Sequence, residues 1–488
     1  MGVYLPAVLS KGAIGRGAVW SILNQSIGQI LVLLVFLITA RFVPKDAFGI
    51  MAVCMLVVGA FRQIWAESVG TSIVAKNNPT DRDYNAGFLI IAAGGLVSAV
   101  IVFLLAGPIG RLMHHGDIEG TLRWISLLLL TGGLSLTHEA WLMKHLQFKV
   151  LALRSLVSIC IGGGIGIVMA VNGYGLLSLI AQQLITSVVG TACLWLATTW
   201  RPGFDTRWEN IASLLRYSRH VSLAAVAAFA NSQSDVFFSS YYLGPAMTGV
   251  YAAAKRILSA TSLMFSSGLN SVALPTMAAV SKDHERASRS FLKAVSLTTF
   301  LAAPLYAGLA ALSPDFIHLL MGDKWADVAP VISILAVNGY IAAVSGYNGN
   351  IMLVKGKPHW QMLIASVNAL ANVVLFMIVG RMGLIALAVA YVAKNVVFAP
   401  LSTGAALYLL KMKPGAYLME IGPSIFAAMA MGVSVRLARD YLSTCSPFLS
   451  LIVMVPGGAV LYFLIMLVID RKAASEMVSM VCHTVRKN

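Results

Sequence analysis

The sequence predicts an all-α polytopic membrane protein, and three observations lead to that prediction. Hydrophobic residues make up 58% of the 488-residue chain and charged residues only 11%, whereas charged residues are about 25% of a soluble domain. The mean hydropathy is +0.82. Apolar stretches of about 20 residues, the length that crosses a bilayer as a helix, recur along the whole chain. This composition excludes a soluble enzyme with a single membrane anchor.

Fourteen apolar segments have the length of a membrane-spanning helix. They lie at 19–40, 48–74, 86–107, 121–142, 151–171, 176–199, 220–242, 248–278, 290–312, 328–354, 360–379, 384–409, 416–437 and 447–469. The first segment is longer than the ~7–15-residue core of a signal peptide, so we expect it to be retained as a helix. The longest polar interruptions, 201–219 and 279–290, are too short for a soluble catalytic domain.

The distribution of positive charge predicts the orientation in the membrane. If the amino terminus lies inside, the inner segments hold 23 of the 35 Lys and Arg residues and the outer segments hold 8. Cytoplasmic loops of membrane proteins are enriched in these residues, so we expect both termini in the cytoplasm. The same bias accounts for most of the net charge of +16, and we therefore expect no nucleic-acid partner.

An internal repeat relates the first six predicted helices to the next six. The matching segments are Phe42–Ala52 with Tyr242–Ala252, Trp141–Lys144 with Met352–Lys355, and Gly173–Leu177 with Arg381–Ile385. Their spacings stay between 200 and 211 residues. Each half contains an even number of helices, so the two halves keep the same orientation, as in transporters built from parallel repeats.

The repeat divides the chain into four predicted parts. These are an N-lobe at 1–200, a hinge at 201–219, a C-lobe at 220–410 and a C-terminal pair of helices with a tail at 411–488. In the hinge, Trp208, Ile211 and Leu215 recur at helical spacing beside several arginines. This pattern fits a basic amphipathic helix on the inner leaflet, and it fits a plain charged linker equally well.

Charged residues inside the predicted spans are the strongest functional signal. A charge at the centre of a bilayer costs about 2.5–3.5 kcal/mol even on mild scales, so such residues usually face a polar pathway. The cations are Arg62, Lys255, Arg256 and Lys394, and the acids are Glu67, Glu139 and Asp235. Surplus positive charge predicts an anionic cargo with the cations as its ligands. The acids are candidate sites for proton or sodium coupling, or simply partners of the cations.

Each cation also has a structural alternative. Lys255 and Arg256 lie near the outer end of the eighth predicted helix, so they could snorkel toward the interface. Arg62 could pair with Glu67, although a separation of five residues is poor geometry on an α-helix, and acids on other helices are equally plausible partners. Lys394 lies ten residues into its helix, which is too deep for easy snorkelling.

Uncharged polar residues mark the first, second, seventh and eighth predicted helices. The ones that we assign to a central cavity are Gln25, Gln29, Asn231 and Asn270. The alternative is hydrogen bonding between helices, which is common in membranes and contributes about 0.6 kcal/mol per contact. No P-loop, zinc motif or paired catalytic residues are present in the sequence, so we expect no enzymatic activity, cofactor or metal.

Several segments together resemble the multidrug/oligosaccharidyl-lipid/polysaccharide (MOP) exporter superfamily. They are the turn motif ending Phe48–Ala52, and Arg16–Ser21 and Leu215–Ser218 near the openings of the two lobes. Two six-helix repeats followed by two further helices are also similar to this superfamily. The chain is most similar to its polysaccharide transporter branch, the Wzx-type flippases, and to exporters of succinoglycan, colanic acid and xanthan repeat units.

The resemblance implies a bacterial inner-membrane flippase that moves undecaprenyl-pyrophosphate-linked oligosaccharides to the outer leaflet for exopolysaccharide synthesis. It implies alternating access, membrane lipid as a partner and contact with polymerase or export machinery. In related lipid II flippases, cavity arginines lie on the first, second and eighth helices; Arg62 and Arg256 match two of them. The rival functions are a cation-coupled multidrug exporter, a lipid II-type flippase and a membrane polysaccharide polymerase.

Overall fold

The computed structural model describes the backbone of residues 11–279, 284–441, 447–471 and 475. Side chains are described over these ranges except at 11–26, 220, 223–224 and 263–284. Within the described residues the regular structure is helical, and no strand occurs among them. The predicted all-α class is therefore confirmed.

A continuous series of helices precedes the connecting segment. They are α1 (Lys11–Phe42), α2 (Lys45–Arg62), α3 (Ser68–Ala75), α4 (Asp81–Leu112), α5 (Gly116–Ile125), α6 (Leu127–Lys144), α7 (Phe148–Val171) and α8 (Leu176–Ala197). A π-helical turn, Gln63–Glu67, joins α2 to α3. Lys45–Ala75 therefore forms one uninterrupted apolar span, and α5 with α6 covers the fourth predicted span.

A single long helix, α9 (Trp208–Ala279), covers the seventh and eighth predicted spans, with a kink at Gly244 (φ 78°, ψ 176°). Glycine suits that position because side chains strongly disfavour positive φ. The later helices are α10 (His284–Met321), α11 (Val328–Val354), α12 (Pro358–Val379), α13 (Leu384–Leu410), α14 (Pro414–Tyr441) and α15 (Pro447–Ile469). Short 3₁₀ turns lie at Asp323–Trp325 and Gly380–Met382.

The fourteen predicted spans lie on helical backbone except at Ser126, a turn within the fourth span, and at residues 198–199, just beyond α8. The predicted bounds of α11 and α15 are those observed. Among the described residues, ten helices are long and apolar enough to cross a membrane, and Ile27–Phe42 forms a shorter apolar helix. The protein is therefore a multi-pass membrane protein.

Two compact units make up the chain, Met1–Gly249 and Val250–Asn488. In the first unit, α7 packs against both α1 and α8. Glycines allow this close packing, because a Cβ atom on Gly162 would collide with Thr186 and one on Gly163 would lie 2.6 Å from a methyl group of Val35. The predicted lobe boundaries at 200 and 220 stay a prediction.

In the second unit, α10 packs against α11 and α14, and α15 packs on α10 and α14. The Tyr462 hydroxyl donates a hydrogen bond to the Phe300 carbonyl at 3.0 Å. Asp315 accepts a bidentate pair of hydrogen bonds from Arg439 and a third from the Ser450 hydroxyl. The two helices beyond the repeat are therefore an integral part of this unit.

The repeated turn motifs meet in a reciprocal backbone contact within the first unit. A Cβ atom on Gly49 would collide with the Pro245 carbonyl, and one on Gly249 would collide with the Lys45 carbonyl. Gly249 follows Gly49 by 200 residues, and Pro245 follows Lys45 by the same interval. Each motif thus makes the same contact with the other, which is the property of a two-fold axis.

The predicted hinge begins as irregular chain and becomes helical at Trp208. Trp208 and Tyr217 are exposed, whereas Leu214 is buried in a cluster that includes Ile73 and Tyr84. The Ser218 hydroxyl is 2.9 Å from the Ser72 hydroxyl. The face with Leu214 and Ser218 therefore packs on the protein, whereas Trp208, part of the predicted apolar stripe, is exposed, and the choice between an inner-leaflet helix and a charged linker stays a prediction.

Polar contacts hold the irregular part of the hinge against the start of α4. Asp83, which is buried, accepts hydrogen bonds from Lys76 Nζ and Asn210 Nδ2, each at 2.6 Å. The Asn85 side chain accepts a hydrogen bond from the Gly203 N–H at 3.0 Å. These contacts hold the hinge segment against the start of α4, within the first unit.

We expect Gly249→Ala to destabilise the purified protein by about 1–3 kcal/mol, because the added methyl group overpacks a backbone contact. Gly49→Ala should have an effect of similar size, since the contact is reciprocal. Thermal unfolding in detergent measures both. Gly457→Ala is the matched control, because a Cβ atom there meets no atom within 4 Å. Equal melting temperatures for all three variants would contradict the packing role.

Candidate functional site

The Arg62 and Glu67 side chains form an ion pair near the middle of the Lys45–Ala75 span. Arg62 Nε lies 3.3 Å from Glu67 Oε1, and the two side chains are 49% and 42% exposed. Arg62 is about 25 Å from one end of the span and about 20 Å from the other at 1.5 Å rise per residue. Arg62 cannot snorkel across that distance, whereas Glu67 is only eight residues, about 12 Å, from Ala75. The exposed part of the Arg62 side chain therefore needs a polar environment.

The π turn explains why this pair forms despite a separation of five residues. On an α-helix, residues i and i+5 point about 140° apart. A π turn closes through i to i+5 contacts, and Gln63–Glu67 is such a turn. The expectation of poor geometry assumed an unbroken α-helix, so it was wrong here.

Lys394 contacts amide and aromatic side chains of α12 and α13. Its Nζ atom donates hydrogen bonds to Asn368 Oδ1 at 2.6 Å and Asn372 Oδ1 at 2.7 Å. The ring centroids of Tyr391 and Phe398 are 5.2 and 5.7 Å from the same atom. These four neighbours stabilise the ammonium group through hydrogen bonds and cation–π contacts.

Sequence reasoning missed the two asparagines that hold Lys394. Asn368 and Asn372 are four residues apart in an apolar helix, a spacing that places both on one face. Asn372 is only 2% exposed. That i, i+4 pair of amides was the available signal, but nothing in the chain indicated which residue they bind.

Lys255 and Arg256 lie on α9 beyond the kink and are both partly buried. Both residues have interaction partners, and the Ser259 hydroxyl donates a hydrogen bond to the Lys255 carbonyl at 2.8 Å. The adjacent Ala254 and Ile257 are buried. Both cations are therefore partly shielded by the protein, and the choice between snorkelling and cargo binding stays open.

The other two predicted acids, Glu139 and Asp235, each accept a hydrogen bond from a nearby group. Glu139 Oε2 accepts a hydrogen bond from Arg154 Nη1 at 2.8 Å, and both side chains are 25% exposed. Asp235 is 2% exposed, and its Oδ1 atom accepts the N–H of Val236 at 2.8 Å. Glu139 thus has an arginine partner, and its coupling role, like that of Asp235, stays a prediction.

The predicted uncharged cavity residues are only partly described. Gln29 is exposed, and Asn231 is partly buried and has interaction partners. The side chains of Gln25 and Asn270 lie outside the described residues. Their assignment to a cavity stays a prediction.

A buried histidine next to Glu139 was not assigned a role from the sequence. His138 is fully buried, with ring centroids of Trp195 and Trp200 at 4.8 and 5.1 Å. Its Nδ1 atom is 2.7 Å from the Thr198 hydroxyl. Among the described residues, no group of three or more His, Cys, Asp or Glu side chains could hold a metal ion.

Solved structures at low sequence identity share the fold of this chain. The chain superimposes on an inward-closed lipid II flippase with a TM-score of 0.74 and 14% identity, covering 93% of this chain and 99% of that one. It also superimposes on an inward-facing multidrug resistance transporter of the MOP superfamily with a TM-score of 0.60 and 15% identity, covering 81% and 98% of the two chains. The fold is therefore that of the MOP superfamily.

Sequence comparison then identifies the family. Residues 38–330 match the family model described as polysaccharide biosynthesis protein. A succinoglycan biosynthesis transport protein of Rhizobium meliloti (strain 1021) is 28% identical over 334 residues, which cover 68% of this chain and 67% of the relative. The chain belongs to the polysaccharide biosynthesis protein family, and the predicted family membership is confirmed.

We expect Asn372→Leu to destabilise the protein by about 1–3 kcal/mol, because it removes one of the hydrogen-bond acceptors of a partly buried ammonium group. The double variant Asn372→Leu with Lys394→Met should be more stable than Asn372→Leu alone, since no under-solvated charge then remains there. A thermal double-mutant cycle in detergent measures the coupling. Asn172→Leu is the control, because that exposed amide bonds only within its own helix. Additive effects at 372 and 394 would refute the coupling.

Proposed function

We propose that this protein is a flippase that moves undecaprenyl-pyrophosphate-linked oligosaccharide repeat units from the inner to the outer leaflet of the bacterial inner membrane. The transported units would then be polymerised into an exopolysaccharide. The protein would work by alternating access, as a transporter and not as an enzyme. The family membership and the shared MOP fold support this proposal.

The observation that carries the proposal is the half-exposed Arg62–Glu67 pair at the middle of a membrane span. Two charged side chains at that depth are tolerated when they border water or a polar ligand, and not when they face lipid tails. A transporter needs a hydrated path along such a span, whereas a purely structural helix does not need one.

The excess of cations over acids in the spans favours an anionic cargo. A pyrophosphate is a compact anion, and arginine and lysine are the side chains that bind such groups. Arg62, Arg256 and Lys394 are the proposed ligands, with Lys255 as a further candidate. The ammonium of Lys394 is held in place by asparagine and aromatic neighbours.

Energy for the cycle would come from a proton or sodium gradient, with Asp235, Glu139 and Glu67 as the candidate coupling residues. No other cofactor is proposed. The positive-inside bias supports cytoplasmic termini. Polysaccharide polymerase and export proteins are the proposed partners at the outer face.

The decisive experiment is depletion of the protein in its own bacterium, followed by assignment of lipid-linked repeat units to a leaflet with a membrane-impermeant sugar-oxidising reagent. We expect the units to accumulate at the inner leaflet, where the reagent does not reach them. Accumulation at the outer leaflet would indicate a polymerase instead and would overturn the proposal.

In the depleted strain, we expect complementation by Arg62→Ala, Arg256→Ala or Lys394→Ala to reduce polymer secretion by about tenfold or more, since each change removes a charge-assisted contact to the anion. Membrane levels of each variant are measured by immunoblot. Arg111→Ala, which changes an exposed arginine at the end of α4, is the control. Normal secretion by all three test variants would remove the cations from the mechanism.

Topology fusions test the proposed orientation. Alkaline phosphatase is active only outside the cytoplasm, so we expect activity when it is fused after Ala326, between α10 and α11, and none after Lys357, between α11 and α12. A β-galactosidase fusion at each site should give the opposite pattern. Reversed activities at both sites would invert the proposed orientation.

A further inference from the structure

We infer that Glu67 is the resident counter-ion of Arg62, a positioning residue that holds the guanidinium between transport events and is displaced by the anionic group of the cargo. The inference rests on the proposed function. It differs from a coupling role for Glu67, because the carboxylate acts here as an internal competitor of the cargo.

The π turn restricts this pairing to one helix geometry. Within Gln63–Glu67 the extra residue brings Glu67 round to the face of Arg62, and the two charged groups meet at 3.3 Å. If the turn straightened into an α-helix, the two side chains would point about 140° apart. Local helix geometry therefore decides whether Arg62 is paired with Glu67 or available to another anion.

Contacts with two other helices fix the π turn in the observed state. The Ser222 hydroxyl on α9 donates a hydrogen bond to the Ile64 carbonyl at 2.8 Å. A Cβ atom on Gly94 of α4 would lie only 3.2 Å from Trp65 Cβ. Within the turn itself, the Ser68 hydroxyl donates to the Gln63 carbonyl at 2.8 Å. Movement of α9 or α4 would therefore act on the turn that holds the pair.

The geometry of the pair makes displacement by cargo favourable. The contact is one nitrogen–oxygen approach of 3.3 Å, longer than the roughly 2.7–2.9 Å of a strong charge-assisted bond. A half-exposed pair of this kind stabilises the protein only weakly. A pyrophosphate has more negative charge than a carboxylate and can accept two parallel bonds from one guanidinium, so it competes effectively for Arg62.

The test is binding of farnesyl pyrophosphate, a short polyprenyl pyrophosphate, to the purified full-length protein in nanodiscs. We expect Glu67→Gln to bind the probe about two- to fivefold more tightly, because the competing charge is removed while the side-chain shape is kept. Arg62→Met should bind it about ten- to hundredfold more weakly. In the double variant, Glu67→Gln should give no gain, since its effect requires Arg62.

Glu119→Gln is the matched control for a general change in net charge. Glu119 pairs with Arg123 at 2.6 Å, with side chains 38% and 49% exposed, in a regular i, i+4 geometry on α5. We expect this variant to bind the probe as the wild type does. Melting temperatures of all variants verify that each protein is folded.

The possible failures are distinguishable. If Arg62→Met weakens binding but Glu67→Gln leaves it unchanged or weaker, the counter-ion role is overturned and the proposed function stands. If Arg62→Met binds the probe normally, the inference also fails, and the leaflet assay alone decides the function. If the wild-type protein binds no pyrophosphate lipid at all, both proposals fall.

Discussion

A charge inside a bilayer needs a partner or water, and this constraint accounts for the polar architecture of the protein. Uncharged backbone N–H and C=O groups face a similar need, and they meet it by hydrogen bonding to each other within the helices of the described spans. Charged side chains satisfy it in different ways: Arg154 pairs with Glu139, whereas the Lys394 ammonium binds two amide oxygens. The first arrangement pairs opposite charges, and the second surrounds a charge with amide and aromatic groups.

Close backbone approach is the second requirement, and glycine meets it. Without a strong hydrophobic force between helices, membrane proteins depend on packing at small residues. Gly162 and Gly163 allow α7 to approach its neighbours, and Gly49 with Gly249 allows the two repeated turns to touch. The same residue type thus serves both ordinary helix packing and the symmetric contact of the repeat.

The membrane spans could be predicted from the sequence, because hydropathy is averaged over about 20 residues and is insensitive to local detail. The partners of the charged residues within the spans could not be predicted in this way. A π turn has no composition of its own, so the Arg62–Glu67 contact could not be predicted from spacing. Asn372 binds Lys394 across two helices whose rotation depends on tertiary packing. The hinge helix was visible in the pattern around Ile211, but its docking on Asp83 required the folded structure.

The uninterrupted helix from Trp208 to the kink at Gly244 has a mechanical consequence. Its 36 residues form a rod about 54 Å long, anchored near one end by the bond from Asn210 to Asp83. The rod is also held at Ser218 by Ser72, at Ser222 by Ile64 and just beyond the kink by the contact of Pro245 with Gly49. Because a stiff helix moves as one body, a tilt of the rod requires all of these contacts to change together, and a ligand that locks one of them would restrain the whole rod.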